Sequence, residues 1–200
     1  MKIGIFGGTF DPVHLGHMII AREALERLGL SELWFVPAGN PWMKDEWKIS
    51  PPGYRLKMLE LSIRGSPAFK ISHVDLKRPG LSYTVDTLKD IKGETGAGDS
   101  LYFIMGIDSL KSFPTWKEPG TVISLCTLVS VPRPGSGKTL RVEILEKKVP
   151  GIREKVIFLP GPEIGINSTD IRQRIKEGRS IRYLVLPEVE VYIKRHGLYA

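Results

Sequence analysis

The sequence has one cysteine, no long apolar run and no concentrated block of charge, and each shortage excludes a class of protein. Cys126 alone cannot form an internal disulfide or a cysteine-based zinc site, which is typical of a protein in a reducing cytoplasm. No apolar run approaches the roughly 20 residues of a membrane span. The sequence begins directly with a predicted strand instead of a secretory leader. We therefore expect a cytoplasmic protein with no membrane contact.

The net charge of +7 is spread along the 200 residues, with −1 in the first fifty and +2, +3 and +3 in the next three fifties. A nucleic-acid-binding chain usually carries its positive charge as a basic tail or stripe. A mildly positive protein that attracts small anionic substrates fits this distribution better. We expect small-molecule substrates and no nucleic-acid partner, and a homo-oligomer is compatible with the sequence.

Two common nucleotide-binding motifs are also missing. The chain has no G-x-G-x-x-G followed by an acidic ribose-binding residue, which disfavours an NAD-dependent dehydrogenase. It has no glycine loop ending in Gly-Lys-Ser/Thr, which disfavours a P-loop kinase.

Short apolar runs alternate with helical patterns along the whole chain, which is typical of βαβ units. The sequence therefore predicts a single α/β domain with a doubly wound, mostly parallel Rossmann-like sheet and helices on both faces. The predicted strands cover residues 3–6, 33–36, 69–74, 101–105, 127–131 and 156–159. The predicted helices cover 18–28, 51–64, 140–148, 168–177 and 187–195, and a further one opens at 83–88. In such sheets ligands bind beyond the carboxyl ends of the strands.

The most informative stretch runs from Gly7 to His17, between the first predicted strand and the first predicted helix. Glycines let backbone N–H groups approach a ligand closely, and the N–H groups at a helix start attract anions. His14 and His17 are three residues apart and so share one face of the helix start, where each can donate to a phosphate oxygen. The stretch predicts a polyphosphate site, with a purely structural histidine pair as the alternative.

A second anion site is predicted near the other end of the chain. Ser168 and Thr169 begin an amphipathic helix, so their hydroxyl and N–H groups can donate to an anion. Arg172 adds a guanidinium one turn later. An ordinary helix cap followed by a solvated arginine is the alternative for this segment when it is taken alone.

Together the two segments resemble the signature of the nucleotidyltransferase superfamily with an H-x-G-H motif, here His14-Leu15-Gly16-His17. In the second segment Asn167 replaces the first serine of the usual Ser-Ser-Thr. Within the superfamily the chain is most similar to bacterial nicotinate-nucleotide adenylyltransferases, because Arg-Pro-Gly-Leu-Ser-Tyr-Thr-Val-Asp-Thr-Leu at 78–88 matches that family closely. The similarity extends in order over residues 1 to about 199, through 37–44, 106–108, 116–117 and 132–135.

One segment departs from the family pattern. Where many members have Pro-His-Lys, this chain has Trp42-Met43-Lys44, so the lysine is kept and the histidine is lost. This puts any role of that third histidine in doubt. Trp42, Met43 and Trp47 in this polar loop fit either a lid or an interface.

The resemblance implies that the 5′-phosphate of nicotinate mononucleotide attacks the α-phosphorus of ATP. The products are nicotinate adenine dinucleotide (deamido-NAD) and pyrophosphate, a step of NAD biosynthesis. Because the attacking phosphate is already an anion, the enzyme has to align and neutralise phosphates and needs no general base. Mg²⁺ is expected on the substrate phosphates and in no metal site of the protein itself.

The resemblance also implies a role for each site residue, within one nucleotidyltransferase domain over 1–200 whose helical portion from about 166 carries the second phosphate motif. The expected catalytic residues are His14, His17, Lys44 and Arg172. The residues expected to bind ATP are Gly7, Gly8, Thr9, Phe10, His17, Gly106, Asp108, Arg133, Ser168, Thr169 and Arg172. Those expected to bind the mononucleotide are Lys44, Thr84 and Trp116, although Trp116 fits a packed core position equally well.

Two other functions stay open at this point. A related adenylyltransferase that uses nicotinamide mononucleotide or phosphopantetheine would share both phosphate segments, although a phosphopantetheine enzyme is usually shorter and lacks residues 78–88. A non-enzymatic nucleotide- or nucleic-acid-binding protein is the second, and the intact pair of phosphate segments argues against it.

Overall fold

The computed structural model describes residues 1–42, 49–132 and 142–200, and these residues contain a sheet of six parallel strands. The strands are β1 (Lys2–Gly8), β2 (Glu32–Pro37), β3 (Phe69–Ile71), β4 (Ser100–Gly106), β5 (Thr127–Val131) and β6 (Val156–Phe158). Their order in the sheet is β3-β2-β1-β4-β5-β6. This order reverses direction between β1 and β4, which is the arrangement of a doubly wound Rossmann-like sheet. The predicted fold class is confirmed.

Helices connect the strands and cover both faces of the sheet. The helices of the described ranges are α1 (Leu15–Arg27), α2 (Pro52–Ile63), α3 (Val74–Lys77), α4 (Thr84–Glu94), α5 (Ile107–Ser112), α6 (Pro119–Leu125), α7 (Val142–Lys148), α8 (Ser168–Lys176) and α9 (Pro187–Arg195). The predicted third strand is too long, because residues from Val74 onward turn into α3 instead of continuing β3. No helix in the described ranges is long and apolar enough to cross a membrane.

Successive side chains of a strand point to opposite faces of the sheet, and the core is therefore divided into two hydrophobic clusters, one on each face. In β4, Phe103 and Met105 pack on the face covered by α4 to α7, whereas Ile104 between them packs on the face covered by α1, α2, α8 and α9. Cys126 lies in the first cluster, and burial raises the pKa of its thiol to about 12. The cysteine is therefore a buried small hydrophobe, as its apolar surroundings predict.

The strand order sets where a ligand can bind. The carboxyl ends of β1 and β4 lie side by side, with Phe6 paired to Ile104, and the connections from these two strands leave toward opposite faces of the sheet. A crevice therefore opens between them at the point where the order reverses. The segment after β1 is Thr9 to His14, and the segment after β2 begins at Ala38.

The segment after β2 is fastened to the residues before α4. The Ser82 hydroxyl accepts the backbone N–H groups of Gly39 at 3.1 Å and Asn40 at 3.2 Å, and the Ser82 N–H donates to the Asn40 carbonyl at 2.8 Å. Gly39 also lies so close to α3 that a Cβ there would stand 2.3 Å from the carbonyl oxygen of Asp75. Only glycine permits this approach, since the obstacle is backbone.

Replacement of this glycine tests the close approach. We expect Gly39→Ala to lower the free energy of unfolding by about 1–3 kcal/mol, because the added methyl group must push apart two backbone segments. Gly53→Ala is the matched control, since a Cβ at Gly53 meets nothing within 4 Å. Urea denaturation of both variants measures the difference, and equal stability of the two would contradict the packing of Gly39 on α3.

Candidate active site

A cavity of about 310 Å³ opens at the carboxyl edge of the sheet, where β1 and β4 adjoin. Its size lies at the lower end of the range for small-molecule sites. Its walls combine backbone of the first glycine turn, hydroxyl and carboxylate groups of the α3–α4 region, and apolar side chains. The lining includes Gly7, Gly8, Thr9, His14, Gly16, His17, Ala38, Pro41, Trp42, Asp75, Ser82, Thr84, Thr87, Gly106, Ser109, Trp116, Ile164 and Ile166.

The backbone of the glycine turn lines the cavity on one side and packs against the buried ring of Phe10 on the other. A Cβ on Gly8 would stand 2.9 Å from the ring of Phe10, so a larger residue would displace that ring. Phe10 itself is 2% exposed and packs edge-on against Phe6 and Phe35. Its side chain therefore supports the turn from the core and does not line the cavity.

His14 and His17 lie in the cavity wall as a stacked pair. Their ring centroids are 3.6 Å apart with 26° between the ring planes, and Phe10 packs its edge against His17. The Nδ1 atom of His17 accepts the backbone N–H of His14 at 3.2 Å. Because Nδ1 accepts, a neutral His17 carries its proton on Nε2, where it can donate to a ligand.

The second predicted anion site is bonded to the first. The Ser168 hydroxyl donates to the Pro12 carbonyl at 2.9 Å, and the Arg172 guanidinium donates to the Asp11 carbonyl at 2.6 Å. Asn167 caps α8, with its side chain accepting the N–H of Asp170 at 2.9 Å. The start of α8 and the histidine turn are thus joined although more than 150 residues separate them.

Two of the residues predicted to bind the mononucleotide, Thr84 and Trp116, line the same cavity as the histidine pair. Thr84 is the first residue of α4 and lines the cavity. Trp116 also lines it while packing against Phe103 and Phe113, so the two interpretations of this tryptophan are compatible. Its buried indole N–H has no hydrogen-bond partner within the described residues. A buried donor without a partner is available to a ligand that reaches it.

A buried carboxylate that the sequence did not single out forms part of the same wall. Asp75 is 6% exposed and accepts the Thr87 hydroxyl at 2.6 Å and the Arg78 guanidinium at 2.9 Å. Burial raises the pKa of Asp75, and the bonds from Thr87 and Arg78 oppose this shift. Arg78 also pairs with Asp90 in α4. This network fixes the start of α4 beside the cavity.

Some of the predicted site residues lie elsewhere or outside the described ranges. Asp108 lies in the first turn of α5, is exposed and pairs with Lys111 at 3.7 Å; it is not itself a lining residue, although Gly106 and Ser109 on either side of it are. Lys44 and Arg133, together with Met43 and Trp47, fall outside the residues that the structure describes. The described ranges contain no cluster of three or more His, Cys, Asp or Glu side chains that could hold a metal ion.

The sheet order and the two joined helix starts at its carboxyl edge form a doubly wound α/β site, and the comparisons identify its class as a nucleotidyltransferase. The cytidylyltransferase-like family matches residues 5–174. Two relatives described as "Probable nicotinate-nucleotide adenylyltransferase" come from Thermomicrobium roseum and Dehalococcoides mccartyi. The Thermomicrobium roseum relative is 48% identical over 99% of this chain and 91% of the relative. The Dehalococcoides mccartyi relative is 44% identical over 100% of this chain and 97% of the relative. The chain belongs to the nicotinate-nucleotide adenylyltransferase family of nucleotidyltransferases.

Solved structures support the fold. The Plasmodium falciparum nicotinic acid mononucleotide adenylyltransferase complexed with NaAD superposes with a TM-score of 0.79 at 22% identity, over 99% of this chain and 97% of the other. The same enzyme complexed with APC gives a TM-score of 0.77 at 22% identity, over 99% and 96%. At this identity the likeness concerns the fold, and the family membership rests on the sequence relatives.

The Asp75 network yields a pH-dependent prediction. Thr87→Val removes the 2.6 Å donor to a buried carboxyl group that also pairs with Arg78, and we expect it to destabilise the protein by about 1–3 kcal/mol at neutral pH. Since the Thr87 bond lowers the pKa of Asp75, it stabilises the ionised form more than the neutral form. The loss should therefore shrink as the pH falls through the pKa of Asp75.

Urea unfolding at several pH values measures this loss. Thr115→Val is the matched control, because it removes only an exposed bond to the Ser112 carbonyl. A destabilisation by Thr87→Val that is constant from neutral to acid pH would contradict an ionised Asp75 in the network.

Proposed function

We propose that this protein transfers the adenylyl group of ATP to the 5′-phosphate of nicotinate mononucleotide, giving nicotinate adenine dinucleotide and pyrophosphate in NAD biosynthesis. One observation carries the proposal: the histidine pair and the start of α4 line a single cavity, and α8 is bonded to the turn that carries the histidines. Two phosphate groups can thus meet in one place. The family membership and the sequence relatives support the same reaction.

In the proposed reaction a phosphate oxygen of the mononucleotide attacks the α-phosphorus as the bond to the bridging oxygen of pyrophosphate breaks. Negative charge develops on the α-phosphoryl oxygens and on the leaving group, so fixed donors lower the barrier. His17 donates from Nε2 to the α-phosphate, and His14 contacts the phosphates beside it. No residue has to remove a proton, because the attacking oxygen is already ionised.

The ATP end of the cavity is assigned to the glycine turn and α8. Backbone of Gly7, Gly8 and Thr9 contacts the nucleotide, and Gly106 borders it from β4. The first-turn N–H groups of Ser168 and Thr169 donate hydrogen bonds to the β- and γ-phosphates, with help from Arg172. We further propose that Lys44 and Arg133 bind phosphate charge, that Phe10 contributes backbone, and that Asp108 contacts the ribose or adenine edge.

The mononucleotide end is assigned to Thr84 and Trp116. The start of α4 carries partial positive charge and suits a carboxylate, and the Thr84 hydroxyl can donate to the same group. The ring of Trp116 suits a flat heterocycle, and its unpartnered N–H supplies a further donor. The carboxylate group of the nicotinate ring therefore fits this end better than the neutral amide.

The remaining features of the proposal concern the setting of the reaction. Mg²⁺ enters as the magnesium complex of ATP, because Asp75, the carboxylate that lines the cavity within the described ranges, is already bonded to Arg78 and Thr87. The nucleotidyltransferase domain spans 1–200, with the second phosphate motif in the helical portion from about 166. The enzyme acts on small molecules in the cytoplasm, with a homo-oligomeric assembly compatible with the chain.

Removal of one imidazole tests the assignment of His17. We expect His17→Ala to lower kcat by about 10²–10³-fold, the usual effect of losing one donor to a developing oxyanion. Thermal unfolding should change far less than turnover, because stability loses one backbone hydrogen bond and the ring contacts at the cavity wall. The exposed His73 supplies the control variant His73→Ala, which should keep full activity. Loss of stability in proportion to loss of turnover would contradict the role of His17.

Substrate choice tests the reaction itself. Pyrophosphate release from ATP should proceed with nicotinate mononucleotide, and at least about tenfold more slowly with nicotinamide mononucleotide, because the amide leaves carboxylate donors unpaired. The measurement is steady-state release with each mononucleotide and with phosphopantetheine. Release with phosphopantetheine and with neither mononucleotide would reject the assignment.

A further inference from the structure

The turn between β1 and the histidine pair contains a buried carboxylate whose partners come from distant parts of the chain. Asp11 is 3% exposed. One carboxylate oxygen accepts the Tyr199 hydroxyl at 2.6 Å, and the other accepts the backbone N–H of Ser50 at 3.1 Å. A buried carboxylate is stable only where such donors hold it, so its position is tightly determined.

A buried arginine completes the arrangement. Arg55 is 1% exposed and donates to the Thr9 carbonyl and the Ser50 carbonyl, each at 2.9 Å. Its charge faces Asp11, which opposes the lowering of the Arg55 pKa by burial. Arg55 therefore holds the turn at Thr9, two residues before the point that Tyr199 holds.

The hydroxyl of Tyr199 is a donor in this arrangement. Burial raises the pKa of Tyr199, and the charge of Asp11 raises it further, so the hydroxyl stays protonated. Arg172 donates to the main-chain carbonyl of the same Asp11. Asp11 is therefore bonded through its side chain and its main chain, three residues before His14.

We propose that Tyr199 is a positioning residue: through Asp11 it fixes the turn that presents His14 and His17 to the substrate phosphates. Neither Tyr199 nor Asp11 lines the cavity, so the effect passes through the turn. That the rings contact substrate phosphates rests on the proposed function. That Tyr199 fixes the position of the two rings does not depend on it.

The physical reason is that fixed donors accelerate a reaction only while they stay in place. A displacement of about 1 Å at a reacting group can cost as much as 10²-fold in rate. The two stacked imidazoles come directly after the turn at Asp11 in the chain, and His17 accepts a hydrogen bond from the backbone N–H of His14. Loosening the turn therefore moves both rings together.

The first test is kinetic. Tyr199→Phe removes one hydroxyl, and we expect kcat to fall about tenfold while KM for ATP and for nicotinate mononucleotide stays within about twofold. Tyr183→Phe is the matched control, since Tyr183 is 75% exposed. A variant with a lowered melting temperature and wild-type kcat would overturn the proposal, because Tyr199 would then serve stability alone.

The second test asks whether Tyr199 acts through Asp11. Asp11→Asn keeps the size of the side chain but replaces one acceptor oxygen by an NH₂ group. That group then faces either the Tyr199 hydroxyl or the Ser50 N–H, both of which are donors. We expect the double variant Asp11→Asn with Tyr199→Phe to have about the kcat of Asp11→Asn alone. Multiplicative losses would overturn the coupling, and so would Asp11→Asn with wild-type kcat. This variant also tests the proposal if Tyr199→Phe does not fold.

The third test needs no turnover. The chain has four histidines, so ring signals from ¹⁵N-histidine-labelled protein can be followed individually. In Tyr199→Phe the signals of His14 and His17 should shift or broaden while that of His73 stays in place. Unchanged His14 and His17 signals would overturn the proposal. Absence of the adenylyl transfer in wild type would reject the proposed function and leave this readout intact.

Discussion

The site depends on bonds that tie the turn after β1 to residues far along the chain. A glycine turn at the end of a parallel strand offers backbone N–H groups to an anion, but the turn alone does not fix where the following helix begins. Arg55 donates a hydrogen bond to Thr9, and Ser168 donates one to Pro12. Between these two points, Asp11 accepts hydrogen bonds from Tyr199 and Arg172. The histidine pair follows this fastened segment directly.

These bonds also explain why two segments at opposite ends of the sequence, each predicted to bind phosphate, lie side by side. The sheet brings the carboxyl ends of β1 and β4 together, and α8 and α9 pack on the same face as α1 and α2. The start of α8 is therefore placed beside the histidine turn by core packing, and the bonds of Ser168 and Arg172 set its final position. The Leu15 N–H, which donates to the Leu184 carbonyl at 2.9 Å, adds a further connection between α1 and the residues before α9.

The fold was largely predictable from the sequence, because buried parallel strands appear as short apolar runs separated by helical patterns. The fifth strand and the last helix were predicted to the residue, whereas the third strand was not, since apolar Val74 continues the run although it belongs to α3. The cavity-lining histidines and Thr84 were found because they fall in dense motifs. Asp11 belongs to the first motif, but its partner Tyr199 stands 188 residues away, and no local pattern connects them. Asp75 was missed for a different reason: its partners Arg78 and Thr87 are near in the sequence, but its burial comes from tertiary packing.

We propose that His14 and His17 donate hydrogen bonds to the substrate phosphates during one direct displacement and never carry the adenylyl group. Stereochemistry at the α-phosphorus tests this most directly. One diastereomer of ATP with sulfur on the α-phosphorus is converted with nicotinate mononucleotide, and the configuration of the dinucleotide product is determined. A single in-line attack predicts inversion. Retention would contradict the account, because it requires two displacements through an adenylylated side chain.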